Sequence, residues 1–124
     1  GKIRVLLVDD NELTLRTMSL ALQLNEVSNI AVNDPAEALE CYRQSRDMIL
    51  MTDYRMPKMN GLELIRQVRK LNSEALCIIY SGYPDYIDEN EISRSGVRFF
   101  TKPLNIESLI NYIANNAKKE KKDV

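Results

Sequence analysis

Five side chains that could do chemistry each lie at the end of a short apolar run of the chain. They are the pair Asp9 and Asp10, then Asp53, Ser81 and Lys102. Ligands of an open parallel sheet bind outside the carboxyl ends of its strands, so strands ending at these positions would deliver all five to one pocket. Carboxylates, a hydroxyl and an amine gathered there are suited to a divalent cation and a phosphoryl group.

The acid pair is the first part of this pattern. Two adjacent carboxylates in a partly buried site repel each other, so without a counter-charge the pKa of at least one would rise. Mg²⁺ removes that repulsion and favours one or two carboxylates plus a phosphate, and Mn²⁺ also accepts oxygen ligands. Alternatively, Asp10 or Asn11 caps the following helix, but a cap needs only one residue. The sequence therefore predicts a metal site at Asp9 and Asp10.

The remaining three side chains match the needs of phosphoryl transfer. The carboxylate of Asp53 can act as a nucleophile and form an aspartyl-phosphate. Lys102, which precedes Pro103, is a compact positive charge that could pair first with Asp53 and then with phosphoryl oxygens. The hydroxyl of Ser81 could bond one of those oxygens. Taken singly, each residue has an ordinary alternative, such as a loop carboxylate, a surface lysine or a turn serine.

The elements that would position these side chains alternate between strand and helix. Strands are predicted at about 4–8, 28–32, 47–52, 75–80 and 97–101, and helices at about 13–24, 35–45, 62–71, 86–94 and from 106. Asp34 is predicted to cap the second helix, with Pro35 at its first position. Strict alternation implies a parallel sheet covered by helices on both faces. We therefore predict an α/β, flavodoxin-like doubly wound (βα)5 fold with strand order 2-1-3-4-5.

Composition narrows the class of protein. The chain has 124 residues, of which 44% are hydrophobic and 28% charged, which predicts one soluble domain. No apolar run is long enough to cross a membrane, and the formal net charge of −1 gives no bulk attraction to nucleic acid. Cys41 and Cys77 show no pairing pattern, which indicates reduced thiols in a cytoplasmic protein. The chain has no histidine, which excludes catalytic triads that use histidine, metal sites with histidine ligands and an internal phosphohistidine.

The last seven residues differ from the rest in being rich in lysine. We predict that residues 1–117 form one domain and that residues 118–124 are a charged tail or the start of a linker. The sequence leaves open whether the chain is complete or part of a longer protein.

Four short motifs in this order resemble the receiver domain of two-component response regulators. They are Val8-Asp9-Asp10-Asn11, the segment from Thr52 to Gly61, Ser81-Gly82 and Lys102-Pro103. The resemblance covers about residues 3–117 and rests on the ordered set, since no single motif is specific.

The resemblance implies that Asp53 accepts a phosphoryl group from a histidine kinase or a histidine phosphotransfer protein. That role fits a chain without histidine. It also implies that Mg²⁺ is held by Asp53, Asp9, Asp10 and the main-chain carbonyl of Arg55. Ser81 and Lys102 would contact the phosphoryl group. Such a chain is a signalling phosphoacceptor and not an enzyme, although it promotes its own phosphoryl transfer and dephosphorylation.

The resemblance places the switch aromatic at Phe99. Ser81 can bond a new phosphoryl group only if its loop moves inward, which would open space for Phe99 to rotate. The fourth helix is acidic and has few apolar anchors, a pattern typical of low local stability. With the fifth strand and last helix it would form an output face for a homodimer, an output domain or an effector protein.

Two large side chains could set the lifetime of the phosphoryl group. Arg55 lies two residues past Asp53, and Tyr83 lies two residues past Ser81. Both could flank the path of a hydrolytic water, so we predict that they tune the rate of dephosphorylation.

Three other functions compete with this interpretation. A haloacid dehalogenase-type phosphohydrolase uses Mg²⁺ and needs a second aspartate two residues after its nucleophile, but Asn11 follows Asp9 at that spacing. A flavin-binding flavodoxin needs a phosphate-cradling loop, where Asp9, Asp10 and Glu12 would repel a phosphate. The third is a receiver-like docking module that works without phosphate, although all of the site residues are present.

Overall fold

The structure is a computed structural model, and it describes residues 3–82 and 89–122. The strands are β1 Arg4–Val8, β2 Ser28–Val32, β3 Ile49–Asp53, β4 Cys77–Ser81 and β5 Arg98–Thr101. The helices are α1 Glu12–Leu24, α2 Pro35–Gln44, α3 Gly61–Leu71, α4 Glu89–Ser95 and α5 Ile106–Lys122. The first part of the predicted fourth helix lies outside the described residues. No helix within the described ranges is both long and apolar enough to span a membrane.

All five strands form one parallel sheet in the order β2-β1-β3-β4-β5, which confirms the predicted flavodoxin-like arrangement. The register aligns the carboxyl ends of the central strands. Val8 at the end of β1 pairs with Thr52, and Asp53 at the end of β3 pairs with Tyr80. Residues that follow β1, β3 and β4 therefore reach the same edge of the sheet.

The sheet separates two apolar cores. Leu6 and Leu50 pack with α2 and α3 on one face, whereas Leu7 and Met51 pack with α1 and α5 on the other. This alternation follows from the period of two along a strand. Strands β3 and β4 are buried along their whole length, as expected for parallel strands covered on both faces. A shift of one residue in their register would exchange the two cores, so the position of the strand ends is tightly fixed.

The packing of Cys77 and of the two phenylalanines follows this division. Both thiols are free, and burial raises the pKa of Cys77 to about 11, so Cys77 packs as a small neutral residue. Phe100 is buried in the α1/α5 core, and its neighbour Phe99 is partly buried against the α2/α3 core. The two rings therefore point to opposite faces of the sheet, as the alternation of side chains along a strand requires.

Helix starts are set mainly by asparagine. The side chain of Asn11 accepts a hydrogen bond of 2.9 Å from the Thr14 N–H at the start of α1, and Asn60 and Asn105 cap α3 and α5 in the same way. The predicted cap of α2 is wrong in one respect, because Asp34 makes no side-chain cap bond and Pro35 opens the helix alone. Because Asn11 caps α1, neither Asp9 nor Asp10 is needed for that role.

Gly61 allows α3 to begin directly against the end of β3. A Cβ atom at this position would lie 2.6 Å from the main-chain oxygen of Asp53 and 3.1 Å from the Cα of Tyr54. The Gly61 N–H donates a 2.8 Å hydrogen bond to the Tyr54 carbonyl. Because Gly61 has no side chain, α3 can begin close enough to the end of β3 for this hydrogen bond to form beside Asp53.

We predict that Gly61→Ala lowers the free energy of unfolding by about 1–3 kcal/mol, because the added methyl group meets backbone atoms that cannot move aside. Urea denaturation measures the change. Gly82→Ala is the control, since a Cβ there lies 3.8 Å from the nearest atom, in the side chain of Lys102. Equal stability of Gly61→Ala and wild type would contradict the prediction.

Candidate functional site

Three carboxylates meet at the carboxyl edge of the sheet. One oxygen from each of Asp9, Asp10 and Asp53 lies within 4.8 Å of the other two. Asp9 is fully buried, Asp53 is 8% exposed, and Asp10 faces solvent. Asp9 and Asp10 follow β1, and Asp53 ends the neighbouring strand β3. This set of hard oxygen donors could hold one divalent cation at the edge of the sheet.

Lys102 supplies positive charge to the same cluster. Its Nζ lies 3.5 Å from Oδ1 of Asp53 and 3.8 Å from Oδ2 of Asp9. The Lys102 side chain is 31% exposed, so water partly screens both pairs. The peptide bond between Lys102 and Pro103 is cis. The structure thus places Lys102 beside Asp53, as the sequence predicted.

The pKa of Asp53 is raised above its ordinary value. Burial is the largest cause, and the negative charge of Asp9 adds to it. The Lys102 ammonium and a backbone hydrogen bond involving Tyr54 lower the pKa without cancelling the rise. The folded protein therefore holds an ionised Asp53 at a cost in free energy, which a cation between the carboxylates would relieve.

Ser81 closes β4 next to the lysine. It is 2% exposed, and it pairs with Thr101 across the sheet. The Lys102 N–H donates a 2.9 Å hydrogen bond to the Ser81 carbonyl, which ties the ends of β4 and β5 together. Gly82 follows with an exposed backbone, so the chain leaves space at the edge beside Ser81.

Sequence analysis gave no role to Tyr80, which the structure places within the site. Its fully buried hydroxyl lies 2.9 Å from Oδ2 of Asp9, to which it donates, and 3.3 Å from the Val8 carbonyl. The Nζ of Lys102 lies 4.9 Å from the centre of its ring. The available signal was a tyrosine in a wholly apolar strand, because a buried phenol needs a hydrogen-bond partner.

Three predicted roles have no direct structural test. Arg55 lies in the loop between β3 and α3 with an exposed side chain, and its carbonyl remains a predicted metal ligand. Phe99 pairs with Ile79 in the sheet, and its function as the switch aromatic remains a prediction. Tyr83 lies outside the described residues.

An apolar groove adjoins the site between α1 and the loop after β5. Its volume is about 460 Å³, and its lining includes Leu13, Thr17, Met18, Lys102 and Leu104. Lys102 therefore borders both the groove and the carboxylate cluster. Leu13, at the rim, is 76% exposed.

Helix α4 is bound to α3 through side chains. Arg66 forms an ion pair with Glu91, and Arg69 donates a hydrogen bond to the Ser95 carbonyl. On β5, the guanidinium of Arg98 stacks over Phe100 at 5.0 Å from the ring centre. These charges of the predicted output face already interact within the chain. Asp88, one of the acidic residues of the predicted fourth helix, lies outside the described residues.

Comparison with known proteins gives a consistent result. The family model described as the response regulator receiver domain matches residues 5–114. The Arabidopsis thaliana protein ARR21, whose name places it among two-component response regulators, is 36% identical over 105 residues, which is 83% of this chain and 17% of that protein. Response regulator MprA of Mycobacterium leprae is 28% identical over 123 residues, which is 98% of this chain and 54% of that protein.

The fold is also shared with solved structures. A receiver domain protein from Clostridium thermocellum superimposes with a TM-score of 0.91, covering 98% of this chain and 99% of its own, at 21% identity. At that identity the likeness shows the fold alone. The chain spans only about a sixth of the length of ARR21 and about half that of MprA, so it corresponds to one part of those proteins.

We predict that Asp53→Asn is more stable than wild type at pH 7 in the presence of a chelator. A raised pKa means that the folded state binds the proton more tightly than the unfolded state, so ionised Asp53 lowers stability as pH rises above the ordinary value of 3.8. The difference in unfolding free energy should shrink as the pH falls towards that value. Urea denaturation from pH 4 to pH 7 measures it.

The control is Glu74→Gln, an exposed carboxylate outside the cluster, for which we expect little change. If Asp53→Asn were the less stable protein at pH 7, attraction to Lys102 would outweigh burial and the repulsion by Asp9.

Proposed function

The chain belongs to the response regulator receiver family, and from that premise we propose that Asp53 accepts a phosphoryl group from a phosphohistidine on another protein. The donor is a histidine kinase or a histidine phosphotransfer protein. The observation that carries the proposal is the meeting of Asp9, Asp10 and Asp53 at one edge, with Lys102 3.5 Å from Asp53. The protein is a signalling phosphoacceptor and not a metabolic enzyme.

Asp9, Asp10 and Asp53 are the proposed ligands of Mg²⁺, with the main-chain carbonyl of Arg55 as a further ligand and Mn²⁺ as an alternative ion. The three carboxylate oxygens within 4.8 Å and the raised pKa of Asp53 support this fit. Bound Mg²⁺ neutralises the carboxylates and the incoming phosphoryl oxygens.

The residues of the chain supply the rest of the transfer. An oxygen of Asp53 attacks the phosphorus, the bond from phosphorus to the donor imidazole breaks, and an acyl phosphate forms. Lys102 pairs with the Asp53 carboxylate before transfer and with a phosphoryl oxygen after it. The Ser81 hydroxyl donates a hydrogen bond to another oxygen. Positioning and charge neutralisation are the main requirements of this reaction.

The transferred group acts as a switch through Ser81 and Phe99. Movement of Ser81 towards the phosphoryl group opens space for the Phe99 ring, which is only partly buried and needs no polar partner. The change is read on the face formed by α4, β5 and α5, by a second copy of the chain, an output domain or an effector. Arg55 and Tyr83, each two residues past a site residue in the sequence, are the residues proposed to set the lifetime of the signal.

We place the docking of the phosphodonor on α1 and the adjoining groove. Leu13, Leu20 and Leu24 are 76%, 55% and 76% exposed, and their spacing of seven and four residues puts them on one face of the helix. A contiguous apolar face is typical of a surface that binds protein. The groove borders Lys102, so a donor seated there brings its phosphohistidine to Asp53.

Intact mass spectrometry after incubation with acetyl phosphate and Mg²⁺ tests the phosphoacceptor. We expect a Mg²⁺-dependent gain of about 80 Da, one phosphoryl group, on wild type and none on Asp53→Asn. If neither acetyl phosphate nor a histidine donor labels the folded protein, the proposal is wrong and a phosphate-independent docking module takes its place.

The docking proposal predicts that Leu13→Asp slows transfer from a histidine phosphotransfer protein about tenfold or more, because it puts a charge into an apolar contact. Labelling by acetyl phosphate, which needs no docking, should be unchanged. Leu24→Asp is the matched comparison and should slow transfer much less: it is equally exposed and on the same face, but it lies outside the groove and about 16 Å away along the helix axis. Equal slowing by both substitutions, or by neither, would contradict the assigned site.

A further inference from the structure

We infer that Tyr80 is a positioning residue of the carboxylate cluster, whose hydroxyl fixes the orientation in which Asp9 binds a divalent cation. The inference rests on the proposed Mg²⁺-dependent function and adds a residue to it. It starts from the 2.9 Å hydrogen bond that the buried Tyr80 hydroxyl donates to Oδ2 of Asp9.

The first argument is the set of hydrogen bonds to Asp9. Oδ1 accepts the N–H of Asn11 at 2.9 Å, and Oδ2 accepts the hydroxyl of Tyr80. A carboxylate has about four lone-pair sites, so one bond on each oxygen stops rotation and leaves sites for a cation. Loss of that hydroxyl would leave Oδ2 of the buried Asp9 without this donor. The Tyr80 hydroxyl therefore fixes one of the two oxygens of this ligand.

The second argument is the chemistry of the donor. The hydroxyl of a tyrosine is a neutral O–H donor at physiological pH, and here it is buried against Oδ2 of Asp9. A neutral donor orients the carboxylate without adding a positive charge that would compete with a metal ion. Ligating carboxylates commonly need such outer partners for full metal affinity.

The third argument is that the ring serves a different partner. The ammonium of Lys102 lies 4.9 Å from the ring centre, within the range of a cation–π contact, and 3.8 Å from Oδ2 of Asp9. Without the hydroxyl, the Lys102 ammonium remains 3.8 Å from Oδ2, and the carboxylate is free to turn towards it. The hydroxyl thus keeps the Asp9 carboxylate oriented for the cation, while the ring contacts the Lys102 ammonium.

Tyr80→Phe separates these two effects because it removes the hydroxyl and keeps the ring. Calorimetric titration of the unphosphorylated protein with Mg²⁺ should show a Kd about tenfold higher than that of wild type. Phosphorylation by acetyl phosphate should recover as Mg²⁺ is raised. Tyr80→Leu, which also removes the ring, should remain slow even at saturating Mg²⁺.

The matched control is Tyr42→Phe. Tyr42 is also fully buried, and its hydroxyl lies 3.2 Å from the Arg46 carbonyl and 3.1 Å from Nδ2 of Asn72, away from the carboxylates. Its loss should lower stability in chelator without changing the Kd for Mg²⁺. An unfolding curve of each variant in chelator is recorded first, so that the titrated protein is known to be folded.

The outcomes separate the two proposals. Normal Mg²⁺ affinity in Tyr80→Phe, with binding by wild type, would overturn the role of Tyr80 and leave the proposed function standing. An equal loss of affinity in Tyr42→Phe would also overturn it, since the effect would then be one of general stability. Absence of Mg²⁺ binding by wild type would contradict the proposed function itself, and the inference with it.

Discussion

Repulsion among three carboxylates governs this domain. Asp9, Asp10 and Asp53 hold oxygens within 4.8 Å of one another, and two of the three are almost fully removed from water. Like charges at such distances raise the free energy of the folded state unless positive charge or hydrogen-bond donors compensate. Lys102 gives a partly screened charge, and the Tyr80 hydroxyl gives a neutral donor. The compensation is incomplete, in keeping with the raised pKa of Asp53, and this supports the proposal that the edge binds a cation and a phosphoryl group.

The rest of the fold can be understood as the frame that holds these charges together. Parallel pairing of β1, β3 and β4 sets their ends side by side, and burial on both faces fixes the register. Gly61 lets α3 begin against the main chain of Asp53, and Asn11 caps α1 so that the acid pair remains unused by the helix. Each contact is local and individually modest. Together they hold the acidic side chains in an arrangement that electrostatics alone would disperse.

Much of this arrangement could be predicted from sequence because each main site residue ends an apolar strand. Chain order and the strand-end rule were enough to bring Asp53 and Lys102 together. Strand limits were less accurate: β3 and β4 include Asp53 and Ser81, which the prediction left outside, because ladder hydrogen bonds use the backbone whatever the side chain. Tyr80 was missed because apolar patterning counts it as core, and its polar partner lies on a strand distant in sequence. No local signal indicated that Asp34 would fail to cap α2.

The position of the site within the sheet has a mechanical consequence. Asp53 lies on the central strand, which is paired on both sides and covered on both faces, whereas Lys102 follows β5, an edge strand with one partner and exposed residues at both ends. The central strand β3 resists displacement more than the edge strand β5, because an edge strand has fewer contacts that hold it in place. We therefore expect an attraction between the two charges to displace β5 more than β3. An attraction between charges, which has no preferred direction of its own, would then move mainly the β5 edge of the sheet.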